Sequence, residues 1–324
     1  MNKKVLSIGK LRGLQRLSTS TGAIALLAVD HRNNLRTLLQ PDSPGTVPET
    51  ELVEIKKQVV RELGPYGSGV QLDPVYGAAQ CVAAGALPAN RGLVVALEET
   101  GYTGGPSSRV SRRLPDWSVE KARRLGADAV KLLVYYHPRS STAPAIEDLV
   151  SEVASECAAE DLPFFLEALS YSLDPYAPKL TSSERREVVA ESVERLSPLG
   201  ADIFLAEFPL VLSSADSEED LVQACAAVNR VAAIPWVLVS SSIRYYDYLR
   251  EVEAACRAGA SGMAAGRAIW QEVVPLSAEK RREYLQQVTR PRMERLTALC
   301  SAMAKPWTEH YTAAEPSTDW YKTY

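Results

Sequence analysis

Eight short apolar runs punctuate the chain, at Ala23–Val29, Ser68–Leu72, Gly92–Leu97, Ala129–Val134, Pro163–Leu166, Ile203–Ala206, Pro235–Val239 and Gly262–Ala265. They are too short for helices and lack a regular polar face, so both sides must be buried, as in a parallel strand covered on either side. Stretches of helical periodicity separate them, among them Glu49–Leu63, Ala145–Glu156, Ser183–Leu196, Glu218–Val231 and Tyr245–Ala258. Eight strand–helix units predict an α/β fold, a single-domain (β/α)8 TIM barrel. The rival is an open doubly wound sheet. Its usual announcement, G-x-G-x-x-G after the first strand, is missing from this chain.

Gly126-Ala127-Asp128 and Gly200-Ala201-Asp202 lead into the fourth and sixth runs, and Ala258-Gly259-Ala260 into the eighth. Glycine closing the preceding helix explains this echo better than a surviving duplication. A long final helix is expected over Ala278–Ala304, so the barrel with its terminal helix spans 1–304. An aromatic-rich tail, 305–324, then packs over the barrel or a partner. No domain boundary is apparent.

Several function classes fall away on composition. With 36 Lys+Arg against 40 Asp+Glu, the net charge of −4 provides no broad field for a phosphate backbone, so no nucleic acid is expected as a partner. Cys81, Cys157, Cys225, Cys256 and Cys300 are widely spaced, without a C-x-x-C pair, and read as buried thiols, neither a disulfide framework nor a zinc site. No run reaches the length of a membrane helix, and Met1-Asn2-Lys3-Lys4 is not followed by the apolar stretch of a signal peptide. A cytoplasmic protein with no membrane partner is the expectation.

Barrel chemistry collects at the carboxyl ends of the strands. The runs end in Asp30-His31-Arg32, Asp73, Glu98-Glu99-Thr100, Glu167, Glu207, Ser240-Ser241-Ser242 and Gly266-Arg267, while the fourth carries Lys131 in its interior. Burial of Lys131 would lower its pKa, and a neutral amine can attack a carbonyl to form an iminium that serves as an electron sink. The structural alternative is a lysine paired with Asp128, Glu98 or Glu167. Asp30 and Glu167 could hold a substrate hydroxyl and move protons, and His31 or Glu207 could act as acid or base. Arg32 and Asp73 are candidate substrate contacts. Ser240, Ser241, Ser242, Gly266 and Arg267 sit where barrels usually cradle phosphate.

The ordered segments Leu27-Ala28-Val29-Asp30-His31-Arg32, Leu72-Asp73-Pro74-Val75-Tyr76-Gly77, Glu99-Thr100-Gly101-Tyr102, Gly126 to Tyr136, Asp161 to Glu167, and Gly266-Arg267-Ala268-Ile269-Trp270 carry a family likeness. Through them the chain resembles the class I tagatose-1,6-bisphosphate aldolases, a family that also includes sulfofructose-phosphate aldolases. The resemblance implies a barrel working through a Schiff base with no metal or other cofactor. It puts Asp30, Lys131 and Glu167 at the centre, a phosphate near Ser240 to Ser242, Gly266 and Arg267, and a homo-oligomer as the working form. The chain also departs from the family. Members place the Schiff-base lysine on the sixth strand, two residues before a glutamate and four before a proline. In Asp202-Ile203-Phe204-Leu205-Ala206-Glu207-Phe208-Pro209 that position is Leu205. His31 replaces a glutamine, and Glu99 a lysine.

Three readings follow. Lys131 takes over as the Schiff-base lysine and the chain is an aldolase-like lyase on a phosphorylated or otherwise anionic sugar or keto substrate. Alternatively, the pocket works without an imine, by acid–base enolisation or elimination with His31, Glu167 or Glu207 as base and Lys131 stabilising an enolate. In the third, catalysis is lost and the protein binds a sugar phosphate.

Overall fold

A computed structural model describes residues 3–213, 216–322 and 324. Eight parallel strands close into one barrel: β1 (Ile24–Ala28), β2 (Gly69–Leu72), β3 (Gly92–Ala96), β4 (Ala129–Tyr135), β5 (Phe164–Leu169), β6 (Ile203–Ala206), β7 (Trp236–Val239) and β8 (Gly262–Ala265). Each pairs with the next and β8 returns to β1, with Gly262 opposite Ile24. All eight apolar runs are strands. Helices between them cover the outer face, so one side of each strand packs on helices while the other fills the barrel.

The glycine–alanine–aspartate segments explain how strands begin. Gly126 closes the helix Val119–Leu125 in the left-handed region (φ 98°), which a side chain would resist. Asp128 then accepts the backbone N–H of Leu93, and Asp202 that of Phe164, so each aspartate ties its own strand to a neighbour at the amino end of the barrel.

That end is sealed by the termini. Lys4–Leu6 pairs with Tyr311–Ala313, and the Tyr311 hydroxyl donates to the Asp202 carbonyl at 2.6 Å. Leu6, Leu14, Leu17, Trp307 and Tyr311 cap an apolar interior of Ile24, Leu26, Val94, Phe165, Ile203, Leu205 and Val237. Part of the aromatic tail therefore covers its own barrel, whereas Trp320, Tyr321 and Tyr324 are exposed. The final helix is not uniform as expected. It runs Ala278–Tyr284, widens to a π turn over Leu285–Thr289, and resumes over Arg290–Met303. Pro291 is the reason: it has no N–H to continue the α pattern, and its ring crowds the turn before it. All five cysteines are buried and unpaired by disulfides. Among the described residues, no helix is long and apolar enough to cross a membrane.

Candidate active site

At the carboxyl end of the barrel, Asp30, His31, Arg32, Lys131, Glu167, Glu207, Ser240, Ser241, Ser242, Gly266 and Arg267 line one cavity of about 280 Å³. This is at the small end of the range for small-molecule sites. Lys131 stands opposite Ala96 on β3 and Phe165 on β5, two residues before Glu98 and Glu167. Its long side chain rises one layer to meet their carboxylates. Nζ lies 2.8 Å from Asp30, 2.9 Å from Glu98 and 3.0 Å from Glu167, and the residue is only 1% exposed.

This arrangement corrects the expectation that burial leaves Lys131 neutral. Burial does push its pKa down, but attraction to Asp30, Glu167 and Glu98 outweighs burial and holds it well above the ordinary lysine value. The resting group is an ammonium. The two coupled carboxylates beside it are pushed apart. Burial raises both, yet Lys131, His31 and hydrogen bonds, including that from Gln71 Nε2, pull Asp30 well below the usual carboxylate range. For Glu167 burial prevails over Lys131, with repulsion from Asp30 and Glu98 adding to it, and the pKa rises to about 7.

His31 lies 3.7 Å from Asp30 through Nδ1, too far for a hydrogen bond, and its ring meets Trp270 edge-on. Burial depresses its pKa to about 3 against the pull of Asp30, with Arg267, Lys56 and Lys131 adding to the depression, so the imidazole is neutral at neutral pH. At the same end the Gly266 N–H donates to Ser240 Oγ at 2.8 Å. A Cβ on Gly266 would come within 3.1 Å of His31 Cε1 and 3.3 Å of Ser240 Oγ, tighter than ordinary contact, so a larger residue there would push on both side chains. Ser241 Oγ, Arg267 Nε and His31 Nδ1 are buried without hydrogen-bond partners among the described residues, and all three residues line the cavity.

Two expected site residues are placed differently. Asp73 does not line the cavity: it is fully buried on the outer side, paired with Lys56 at 2.7 Å and accepting the N–H groups of Val75 and Tyr76. It shapes the loop after β2 and lies outside the cavity lining. Glu207 does line the cavity, but its carboxylate is taken by Arg185 at 3.1 Å and by the backbone and hydroxyl of Ser170, away from Lys131. Arg32 lines the cavity while donating to the Glu98 carbonyl. Glu98, expected only as a possible ion-pair partner of Lys131, is that partner and lines the cavity as well, whereas Gln71 was not expected at the site. The signal for Gln71 was present: like Lys131, it is a polar side chain within an apolar run. Among the described residues, no group of three or more His, Cys, Asp or Glu is placed to hold a metal ion.

A closed (β/α)8 barrel with a lysine–carboxylate cluster at its carboxyl mouth is the architecture of a barrel enzyme. The sequence model of the DeoC/LacD family aldolases matches residues 24–272, and the chain belongs to that family, a family of lyases. It is 30% identical over 328 residues to tagatose 1,6-diphosphate aldolase 2 of Streptococcus mutans, covering 94% of this chain and 98% of the relative. It is also 30% identical to the Enterococcus faecalis protein of the same description, covering 93% and 96%. Among solved structures, a fructose-bisphosphate aldolase from Plasmodium falciparum superposes with a TM-score of 0.71 at 13% identity, over 94% of this chain and 99% of that one. An archaeal fructose 1,6-bisphosphate aldolase gives 0.57 at 20%, over 90% and 99%. These two establish the fold.

Proposed function

We propose that the chain cleaves a carbon–carbon bond of a phosphorylated or otherwise anionic ketose, with Lys131 at the reacting carbonyl and Glu167 carrying the proton. The observation behind this reading is the place of Lys131 Nζ, buried at the barrel mouth within 3.0 Å of Glu167 and closer still to Asp30 and Glu98. The anionic group of the substrate goes to Arg267, the Ser240–Ser242 loop and Gly266, where unpartnered donors face the cavity. The relatives' names, tagatose 1,6-diphosphate aldolase, point to the same class of substrate.

In the cleavage direction the Glu167 carboxylate takes the proton from the substrate hydroxyl that becomes the aldehyde oxygen. The electrons of the breaking bond move to the ketone oxygen, where the Lys131 ammonium offsets the developing charge. The aldehyde half departs. Glu167 then returns its proton to the enolate carbon, which completes the ketone half and regenerates the carboxylate. Asp30, kept ionised, accepts a substrate hydroxyl. Neutral His31 accepts another through Nδ1.

A second reading, an imine on Lys131, rests on one feature: Glu167, 3.0 Å away with its pKa raised to about 7, is an adjacent acceptor for the ammonium proton, an uphill transfer from the resting ion pair that must precede attack of the amine on a carbonyl. Borohydride reduction with ketose phosphates, read by intact mass and peptide mapping alongside aldehyde release, separates the two. Turnover without an adduct supports enolate stabilisation by the ammonium, and an adduct on the Lys131 peptide establishes the imine. Full turnover in a Lys131→Met variant would sink both.

A further inference from the structure

Gln71 reaches the reacting centre without taking part in the proposed proton transfers. It stands inside β2, opposite Ala28 on β1 and Val94 on β3, and its carbonyl accepts the Val29 N–H at 2.8 Å. Val70 and Leu72 on either side of it pack outward with the helices, whereas Gln71 lines the cavity at only 2% exposure. Ala28 is two residues before Asp30, so the Gln71 side chain rises one layer, as that of Lys131 does. Its Nε2 donates to Asp30 Oδ2 at 2.9 Å, the same oxygen that accepts Lys131 Nζ at 2.8 Å. Oδ2 thus carries two donors. Oδ1 takes no hydrogen bond among the described residues, and His31 Nδ1 stands off it at 3.7 Å.

The fold gains little from an amide at this position. A hydrogen bond to a carboxylate is roughly twice as strong as one between neutral groups, but Gln71 Oε1 is buried with no partner among the described residues, which forfeits a comparable amount. An apolar side chain of the same length would fill the space without that loss. It would not hold the Asp30 carboxylate. The rotation of a carboxyl group about its last bond is soft, so with Lys131 as sole donor either oxygen could turn toward the ammonium. A second donor, arriving from β2, fixes the plane.

We propose that Gln71 is a positioning residue: its amide fixes the rotation of the Asp30 carboxylate, keeping Oδ2 on Lys131 and leaving Oδ1 to accept a substrate hydroxyl. The inference rests on the reading of Asp30 as the acceptor of a substrate hydroxyl in carbon–carbon cleavage. A hydroxyl bound to a fixed oxygen holds the ketone in place against the Lys131 ammonium, and misplacing a reacting group by about 1 Å costs about 10²-fold in rate.

The test compares the unaltered protein with Gln71→Met and Gln71→Glu, measuring aldehyde release from tagatose 1,6-diphosphate and from ketohexose monophosphates, with thermal melts alongside. Gln71→Met, matched in length but without a donor, should lower kcat by about 10²-fold and melt no lower than the unaltered protein, because the unpartnered oxygen leaves with the amide. Gln71→Glu separates the hydrogen bond from packing. Burial and the neighbouring Asp30 charge keep the new carboxyl protonated below its raised pKa, where its hydroxyl donates to Oδ2, and ionisation removes that donor. Its turnover relative to the unaltered protein should therefore fall by about tenfold or more between about pH 6 and about pH 8.5, a dependence that a space-filling residue does not produce. A Gln71→Met kcat within about threefold of the unaltered protein, a melting temperature of that variant well below it, or a Gln71→Glu ratio that does not change with pH overturns the inference, while cleavage by the unaltered protein keeps the reading beneath it. If the unaltered protein releases aldehyde from none of these sugars, the reading of the site fails and this inference with it.

Discussion

Replacing Lys131 with methionine keeps the volume of the side chain and removes its charge. At about 2.9 Å and an effective dielectric near 20, each of the three carboxylate contacts is worth about 6 kcal/mol of gross attraction. Most of that offsets the desolvation of the buried groups. Breaking such a cluster by deleting one partner costs about 3–5 kcal/mol, because the remaining charges stay buried without compensation. The pH dependence is the sharper signature. With lysine present, Asp30 has a lowered pKa, so its stabilisation exists above the unfolded value and is lost as pH falls through the folded one. Without lysine, burial dominates and the carboxyl pKa values rise above their unfolded values. The variant then gains stability as pH falls and the carboxylates take up protons. Urea unfolding at pH 8 and pH 5 should show a deficit of about 3–5 kcal/mol at the higher pH that narrows by at least about 1 kcal/mol at the lower. A deficit below about 1 kcal/mol, or one that does not change with pH, would refute the idea that the ammonium holds the three carboxylates together.

If Glu167 is the base, turnover should rise as pH climbs through about 7, where its carboxyl ionises, and Glu167→Gln should lower kcat by about 10²- to 10⁴-fold and remove that limb of the profile. Its stability contribution has the opposite slope: the raised value favours the fold at low pH and the benefit is lost as pH rises through 7. His31, with its pKa lowered to about 3, should stay neutral from pH 8 to pH 4.5. A Cε1–H resonance in an NMR titration that charged near pH 6.5 would show that the imidazole is not desolvated as described.

The barrel was legible because a strand buried on both faces leaves an uninterrupted apolar run, and eight of them have few other ways to close. Lys131 stood out for the same reason, as the cation in such a run. Its protonation did not, because that depends on which carboxylates reach it from neighbouring strands, and Glu98 does so only through a one-layer rise of the lysine side chain. Asp73 shows the opposite error. Position at the end of β2 was visible in the sequence, but the direction of the side chain is set by Lys56, which arrives from the helix Glu49–Leu63 and also donates to the Val29 carbonyl. Nothing local to Leu72-Asp73-Pro74 reveals that partner.

Leu205 and the charge of Lys131 belong to one balance. Leu205 stands level with Glu167 on the adjacent strand and is fully buried in the apolar interior beneath the cavity. A second amine at that position would lie beside Glu167 and compete for the carboxylates that now serve Lys131 alone. Leu205→Lys should therefore bring the raised Lys131 value down, though Asp30 and Glu98 still hold it, and leave the new amine, which is fully buried and only shares Glu167, below the ordinary lysine value, toward the values of about 5–6 documented for buried lysines. The sign for stability follows: the unfolded chain binds the extra proton and the folded one resists it, so the variant should be weakest at and below the lowered value, about 5–6, and recover as pH rises toward 10. Borohydride in the presence of a ketose phosphate should then trap an adduct on the peptide carrying the substitution. If the variant is as stable at pH 7 as at pH 10, Glu167 holds the new amine as a complete ion pair and burial does not lower its value. The charge state of Lys131 would then have to be explained without Leu205.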